Sequence, residues 1–144
     1  MSQTNELEIM ERIALDLERV EESLASSFNT GAEDFNALIR PLSAAGGKRL
    51  RAQLCLLIAN AGTSIERQRI KIAEAVEMLH LATLIHDDVL DQAEIRRGED
   101  TIHMHKGNKV AILSGDYLFA KAFKIVSEMT NMKYLQVFSH IITC

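Results

Sequence analysis

Apolar residues recur at helical spacing along nearly the whole chain. From Asn5 onward, Leu7, Met10, Ile13, Leu17, Val20 and Leu24 fall three or four residues apart, which predicts one amphipathic helix. Asn5 and Glu8 have capping-box spacing, so that helix is expected to begin at Asn5. Ser26–Gly31 reads as a loop. A shorter helix is expected over Glu33–Ala45, bent or divided by Pro41. Gly46-Gly47 is a breaker pair that leads into a third helix over Lys48–Ala61. Thr63 and Glu66 repeat the capping-box spacing. The helix they open should run to Gln92 or Ala93, without an internal glycine or proline. It is apolar nearly all round between Val76 and Ile85, which predicts the central helix of a bundle. Glu94–Asp100 reads as a polar loop and Thr101–Lys106 as one short turn. A helix over Asn108–Met129 should bury Val110, Leu113, Leu118, Ala122, Phe123 and Val126, and Lys133–Cys144 begins a last helix.

No clean two-residue alternation bounded by turn residues occurs, and one proline with seven glycines is few breakers. The fold class is therefore all-α. The 144 residues suit one domain. The final Ile-Ile-Thr-Cys carries no C-cap glycine or polar tail, so the chain is expected to stop inside a helix. A hydrophobic content of 47% is enough for a core. The net charge of -4 argues against nucleic-acid binding through a basic face. No apolar run is long enough to span a membrane, and the first residues lack a basic, then apolar, leader. Cys55 and Cys144 form no metal or redox spacing. A reduced cytoplasmic protein is the simplest expectation.

The chemistry concentrates at two places. Asp87 and Asp91 are i,i+4 and Asp88 and Asp91 are i,i+3, so all three carboxylates are expected on one side of the long helix. Like charges at these spacings repel. Carboxylates without cysteine or histidine partners suit Mg²⁺, which binds through one or two of them plus water and substrate phosphate. Arg96 and Arg97 follow closely, and guanidinium forks match phosphate oxygens. The second place is Lys48, Arg49 and Arg51, expected in the first turn of the third helix. Cations there oppose the helix dipole by about 0.3–1 kcal/mol each. An anion sharing the site would explain them. Three acids near a helix end more often form a solvated face. The apolar run before them favours a pocket with a charged mouth and an oily wall, which fits a diphosphate with a hydrocarbon tail.

Three blocks, in this order and spacing, carry a resemblance. They are Gly46-Gly47-Lys48-Arg49-Leu50-Arg51, then Asp87-Asp88-Val89-Leu90-Asp91 followed by Arg96-Arg97-Gly98, then Gly115-Asp116-Tyr117-Leu118. The chain resembles the N-terminal half of the trans-prenyl diphosphate synthases (polyprenyl synthetases) over about Leu38–Glu128. The resemblance implies a helical bundle of the isoprenoid synthase type, truncated after about six or seven helices. It also implies condensation of isopentenyl diphosphate with an allylic diphosphate by ionisation, addition and proton loss. Asp87, Asp88 and Asp91 then look like the first aspartate-rich motif, which binds Mg²⁺ and the allylic diphosphate. Arg96 resembles the arginine that contacts the allylic diphosphate. Lys48, Arg51 and Arg97 resemble the isopentenyl diphosphate site, with His80 completing it. A lone histidine on an apolar helix is otherwise a core residue. His103 and His105 read as a solvated turn.

Ala52 stands where the family usually has proline, a change of small effect in a first helical turn. The family's second aspartate-rich motif is missing, so the chain alone is expected to be inactive. The alternatives are a non-catalytic helical subunit, or a diphosphate- and Mg²⁺-binding half of a heteromeric synthase. A homodimer is the expected assembly. The small residues Ala82 and Thr83, five and four positions before Asp87, imply an open tunnel and a medium- or long-chain product.

Overall fold

The computed structural model describes residues 3–29, 33–44, 48–62, 65–129 and 131–143, and the side chains of 3–6 and 42–44 lie outside that description. So do the cap residue Thr63, the breaker pair Gly46-Gly47 and Cys144. Seven helices are described: α1 Gln3–Ser27, α2 Glu33–Ala44, α3 Leu50–Asn60, α4 Glu66–Leu90, α5 Ile102–Lys106, α6 Asn108–Ser127 and α7 Met132–Thr143. α1 thus begins two residues before the expected cap. α2 stays one element although Pro41 lies inside it. Pro41 has no amide to give the Ala37 carbonyl, and that loss falls near the end of the helix.

The polar loop after α4 is instead a hairpin. β1 (Ile95–Arg96) and β2 (Glu99–Asp100) pair antiparallel, Ile95 with Asp100 and Arg96 with Glu99. The turn residues Arg97 and Gly98 have φ of 52° and 87°. Positive φ at both central positions gives a turn whose twist matches the strands. An arginine holds the place where such turns favour asparagine or glycine, so the sequence carried no hairpin signature.

α4 is the centre, as its apolar girth implied. It packs most extensively against α6, then against α3 and α1. Met78, Ala82 and Ile85 of α4 meet a core that includes Leu118 and Ala122 of α6, Leu56 of α3, and Val20 and Leu24 of α1. Three apolar residues expected inside are not. Leu7 and Met10 are 65% and 63% exposed. The first buried core residue of α1 is Ile13, with Ile9 partly buried against it, so Leu7 and Met10 lie at the exposed start of the helix. Leu113, 58% exposed, falls beside the stripe Ala111, Ser114, Gly115 and Leu118 that α6 buries.

Buried polar groups join α1 to α4. The Arg69 guanidinium donates to Asp16 Oδ2 at 2.6 Å and Oδ1 at 3.1 Å, with both residues buried. Glu74, fully buried, accepts from Ser23, Ser27 and Lys71 at 2.7 Å each. Lys121 Nζ reaches the Ser27 carbonyl at 2.6 Å, where a cation meets the open end of α1. No helix among the described residues is long and apolar enough to cross a membrane.

Candidate functional site

α4 ends through its own backbone. The Ala93 amide donates to the Asp88 carbonyl at 3.0 Å and the Gln92 amide to Val89 at 3.4 Å, with Gln92 at φ 52°. This paired closure is a Schellman turn, and it reverses the chain. Thr101 fastens the return: its amide donates to the Glu94 carbonyl at 3.0 Å and its hydroxyl to that of Ala93 at 2.8 Å. Arg96 is thereby brought back over the helix end. Its Nε and Nη2 donate to Asp88 Oδ1 at 2.8 and 2.7 Å.

The three aspartates therefore divide. Asp88 is buried against Arg96, while Asp87 and Asp91 stay exposed. Helical spacing allows all three to share one side, but they differ in access: Arg96 covers Asp88 and leaves Asp87 and Asp91 open. Among the described residues no three carboxylate, imidazole or thiol groups gather as a metal site. Two open carboxylates one helical turn apart still fit Mg²⁺, which takes one or two protein carboxylates and completes its shell with water and phosphate. Acids at a helix C-terminus oppose the dipole by about 0.3–1 kcal/mol each. Arg96 offsets this for Asp88; for Asp87 and Asp91 a cation from solution would.

Beside this helix end lies a cavity of about 360 Å³. Glu77, His80, Leu81 and Leu84 line it, one face of α4 at three- and four-residue spacing. Lys48, Arg49 and Arg51 border it at the start of α3, and Arg96 and Arg97 come from the hairpin. Leu38, Pro41 and Ile102 add apolar wall. The structure thus brings Lys48, Arg51, His80, Arg96 and Arg97 to one cavity, from segments far apart in the chain. Guanidinium and ammonium groups converging over an apolar wall can hold a phosphate group with a greasy tail. Burial pushes the His80 imidazole below its usual range; Arg51, Arg97 and Arg96 act the same way and Glu77 opposes them. His80 is therefore a neutral member of a cationic wall at neutral pH.

Arg49 has a different task from its neighbours. It is 8% exposed, and its Nε and Nη2 donate to Glu21 at 2.5 and 3.2 Å. It sits at φ 45°, just before α3, so Lys48 and Arg49 precede the helix rather than opening it. Among the described residues, Arg49, Gln92 and Arg97 are the non-glycine residues with positive φ. All three border the cavity or form the turn that builds it, and left-handed backbone costs about 1–2 kcal/mol per residue. Strain gathered at one place marks a site whose geometry is imposed by its surroundings.

Ala82 and Thr83 line no part of this cavity. Ala82 is fully buried in the core, and half-buried Thr83 donates its hydroxyl to the His80 carbonyl at 2.8 Å. Sequence reasoning missed Glu77 and His105, both of which line the cavity. Glu77 was findable, since it precedes His80 by three residues on the same helical face. The Gly115 block acts through packing. A Cβ on Gly115 would lie 2.3 Å from His86 Nε2, and that ring stacks on Phe119 at 5.7 Å.

An all-α bundle with a cationic, oil-walled cavity beside paired carboxylates is thus the class that fold and site define. The chain belongs to the polyprenyl synthetase family, whose model matches residues 32–143. It is 33% identical over 140 residues to solanesyl diphosphate synthase 1, chloroplastic, of Arabidopsis thaliana, covering 93% of this chain and 34% of that protein. It is 42% identical over 116 residues to the geranyl-diphosphate-specific all-trans-nonaprenyl-diphosphate synthase of Rhodobacter capsulatus, covering 77% and 36%. Its fold matches the crystal structure of polyprenyl synthase from Caulobacter crescentus CB15, complexed with calcium and isoprenyl diphosphate. There the TM-score is 0.85 at 35% identity, over 92% of this chain and 40% of that one. The chain thus spans between a third and two fifths of the length of these relatives.

Proposed function

We propose that this chain carries the isopentenyl diphosphate site and half of the metal-binding mouth of a trans-prenyltransferase that makes a medium- or long-chain polyprenyl diphosphate. The observation that carries this reading is the convergence of Lys48, Arg51, His80 and Arg97 on one cavity with an apolar wall. In it, Lys48, Arg51 and Arg97 bind the diphosphate of the isopentenyl substrate, and neutral His80 donates or accepts a hydrogen bond without adding charge. Arg96, oriented by Asp88, faces the allylic diphosphate. Asp87 and Asp91, with Asp88 behind them, hold Mg²⁺, which when bound neutralises the departing diphosphate. The names of the relatives, solanesyl and nonaprenyl diphosphate synthases, support a long product.

For the tunnel wall, Thr83 is the position to vary. A phenylalanine at Ala82, which has no exposed surface, would overpack the core rather than block a tail. A homodimer in the cytoplasm belongs to the same reading, supported by exposed Leu113, Val137 and Ile141 on α6 and α7. Calorimetric titration of isopentenyl diphosphate into the chain tests the proposal. Saturable binding is expected, and none at millimolar ligand would contradict it.

A further inference from the structure

We infer that Glu77 is a positioning residue that holds the Lys48–Arg51 wall in place for a diphosphate, an inference that rests on reading the cavity as a diphosphate site. α3 starts under unfavourable electrostatics. Its first turn carries the positive end of the helix dipole, and Lys48, Arg49 and Arg51 add three cations. Its N-cap residue, Arg49, makes no side-chain cap. The cap comes from another helix instead. Glu77 Oε1 accepts the Ala52 amide at 3.0 Å. Ala52 is the third residue of α3, and its amide is the donor a capping side chain ordinarily satisfies. The other oxygen, Oε2, lies 3.5 Å from Arg49 Nη1. Glu77 is itself 3% exposed. One buried carboxylate thus ties the backbone after Arg51 and the side chain after Lys48 to α4, one turn before His80. Glu21 holds the other edge of Arg49.

This placement runs against simple charge matching. Glu77 lines a cavity whose other charged wall residues are the cations Lys48, Arg49, Arg51, Arg96 and Arg97 and the acids Glu99 and Asp100, so cations prevail. On charge alone its removal should tighten anion binding. If its work is to position, removal should weaken binding although the cavity becomes more positive. The sign of the effect separates the two accounts.

The test is calorimetric titration of inorganic diphosphate into the full chain, comparing wild type, Glu77→Gln and Glu77→Asp at matched helicity by circular dichroism. Glu77→Gln keeps the size and one acceptor oxygen but removes the charge that holds Arg49. Glu77→Asp keeps the charge but shortens the reach. Both should bind diphosphate roughly tenfold more weakly than wild type, because misplaced groups lose most of their effect. Glu77→Gln that binds as tightly as wild type, or more tightly, overturns the inference. Should Glu77→Gln fail to fold, Glu77→Asp decides, and wild-type affinity there overturns it. A wild type that binds no diphosphate removes the reading of the cavity and this inference with it. Wild-type binding with both variants unaffected removes the inference alone.

Discussion

Arg97 holds a left-handed backbone at the first central position of the hairpin turn, at a cost of about 1–2 kcal/mol. Asparagine is preferred at such positions. Arg97→Asn is therefore expected to raise the thermal midpoint while weakening diphosphate binding. Calorimetry and a melting curve on the same variant check both, and a lower midpoint would contradict the strain argument. His80 gives a pH signature. Burial first, then Arg51, place its folded pKa below the usual 6.5, with Glu77 opposing and Arg97 and Arg96 adding to the depression. Between the folded value and 6.5 the unfolded chain binds more protons, so stability rises with pH there. The contribution is complete above about 6.5 and is lost as pH falls through the folded pKa. Denaturant titrations from about pH 8 to about pH 5 should show wild type losing more stability than His80→Gln. Parallel curves would rule out a depressed His80.

At the scale of the element, α1 is held to α4 by buried ions as well as by apolar packing. Arg69→Met would leave Asp16 buried without its guanidinium. The expected loss is about 3–5 kcal/mol. A double variant that also converts Asp16 to leucine should recover most of it, and equal losses in single and double variants would contradict the pairing. These ion pairs were not legible in the sequence. Asp16 on the amphipathic α1 and Arg69 in the polar first turn of α4 are charges that read as solvent-facing, and only tertiary packing brings them together. The helices themselves were legible, because period and breakers are local signals. So was α4 as the centre, since few surface helices are apolar on every side. The hairpin was not, because its turn uses a strained Arg97 in place of asparagine. The split among the aspartates was also hidden. Helical spacing placed them near one another, but the Schellman turn that returns Arg96 to Asp88 depends on Gln92 adopting a conformation its side chain does not advertise.

Over the whole molecule, α4 links two sites of opposite charge. One face carries Glu77 and His80 into the cationic cavity, and its end presents Asp87 and Asp91 to solvent. Arg96 joins them, bonded to Asp88 while lining the cavity. Under the proposed function the isopentenyl diphosphate occupies the cavity and the metal the helix end, so the two should be separable by substitution. Titration of isopentenyl diphosphate without metal into wild type, Arg51→Gln, Arg97→Gln and the paired Asp87→Asn, Asp91→Asn variant tests this most directly. The expected result is saturable binding by wild type, a loss of roughly tenfold or more in each arginine variant, and little change in the aspartate pair. Binding that survives both arginine substitutions but disappears with the aspartates would contradict the assignment.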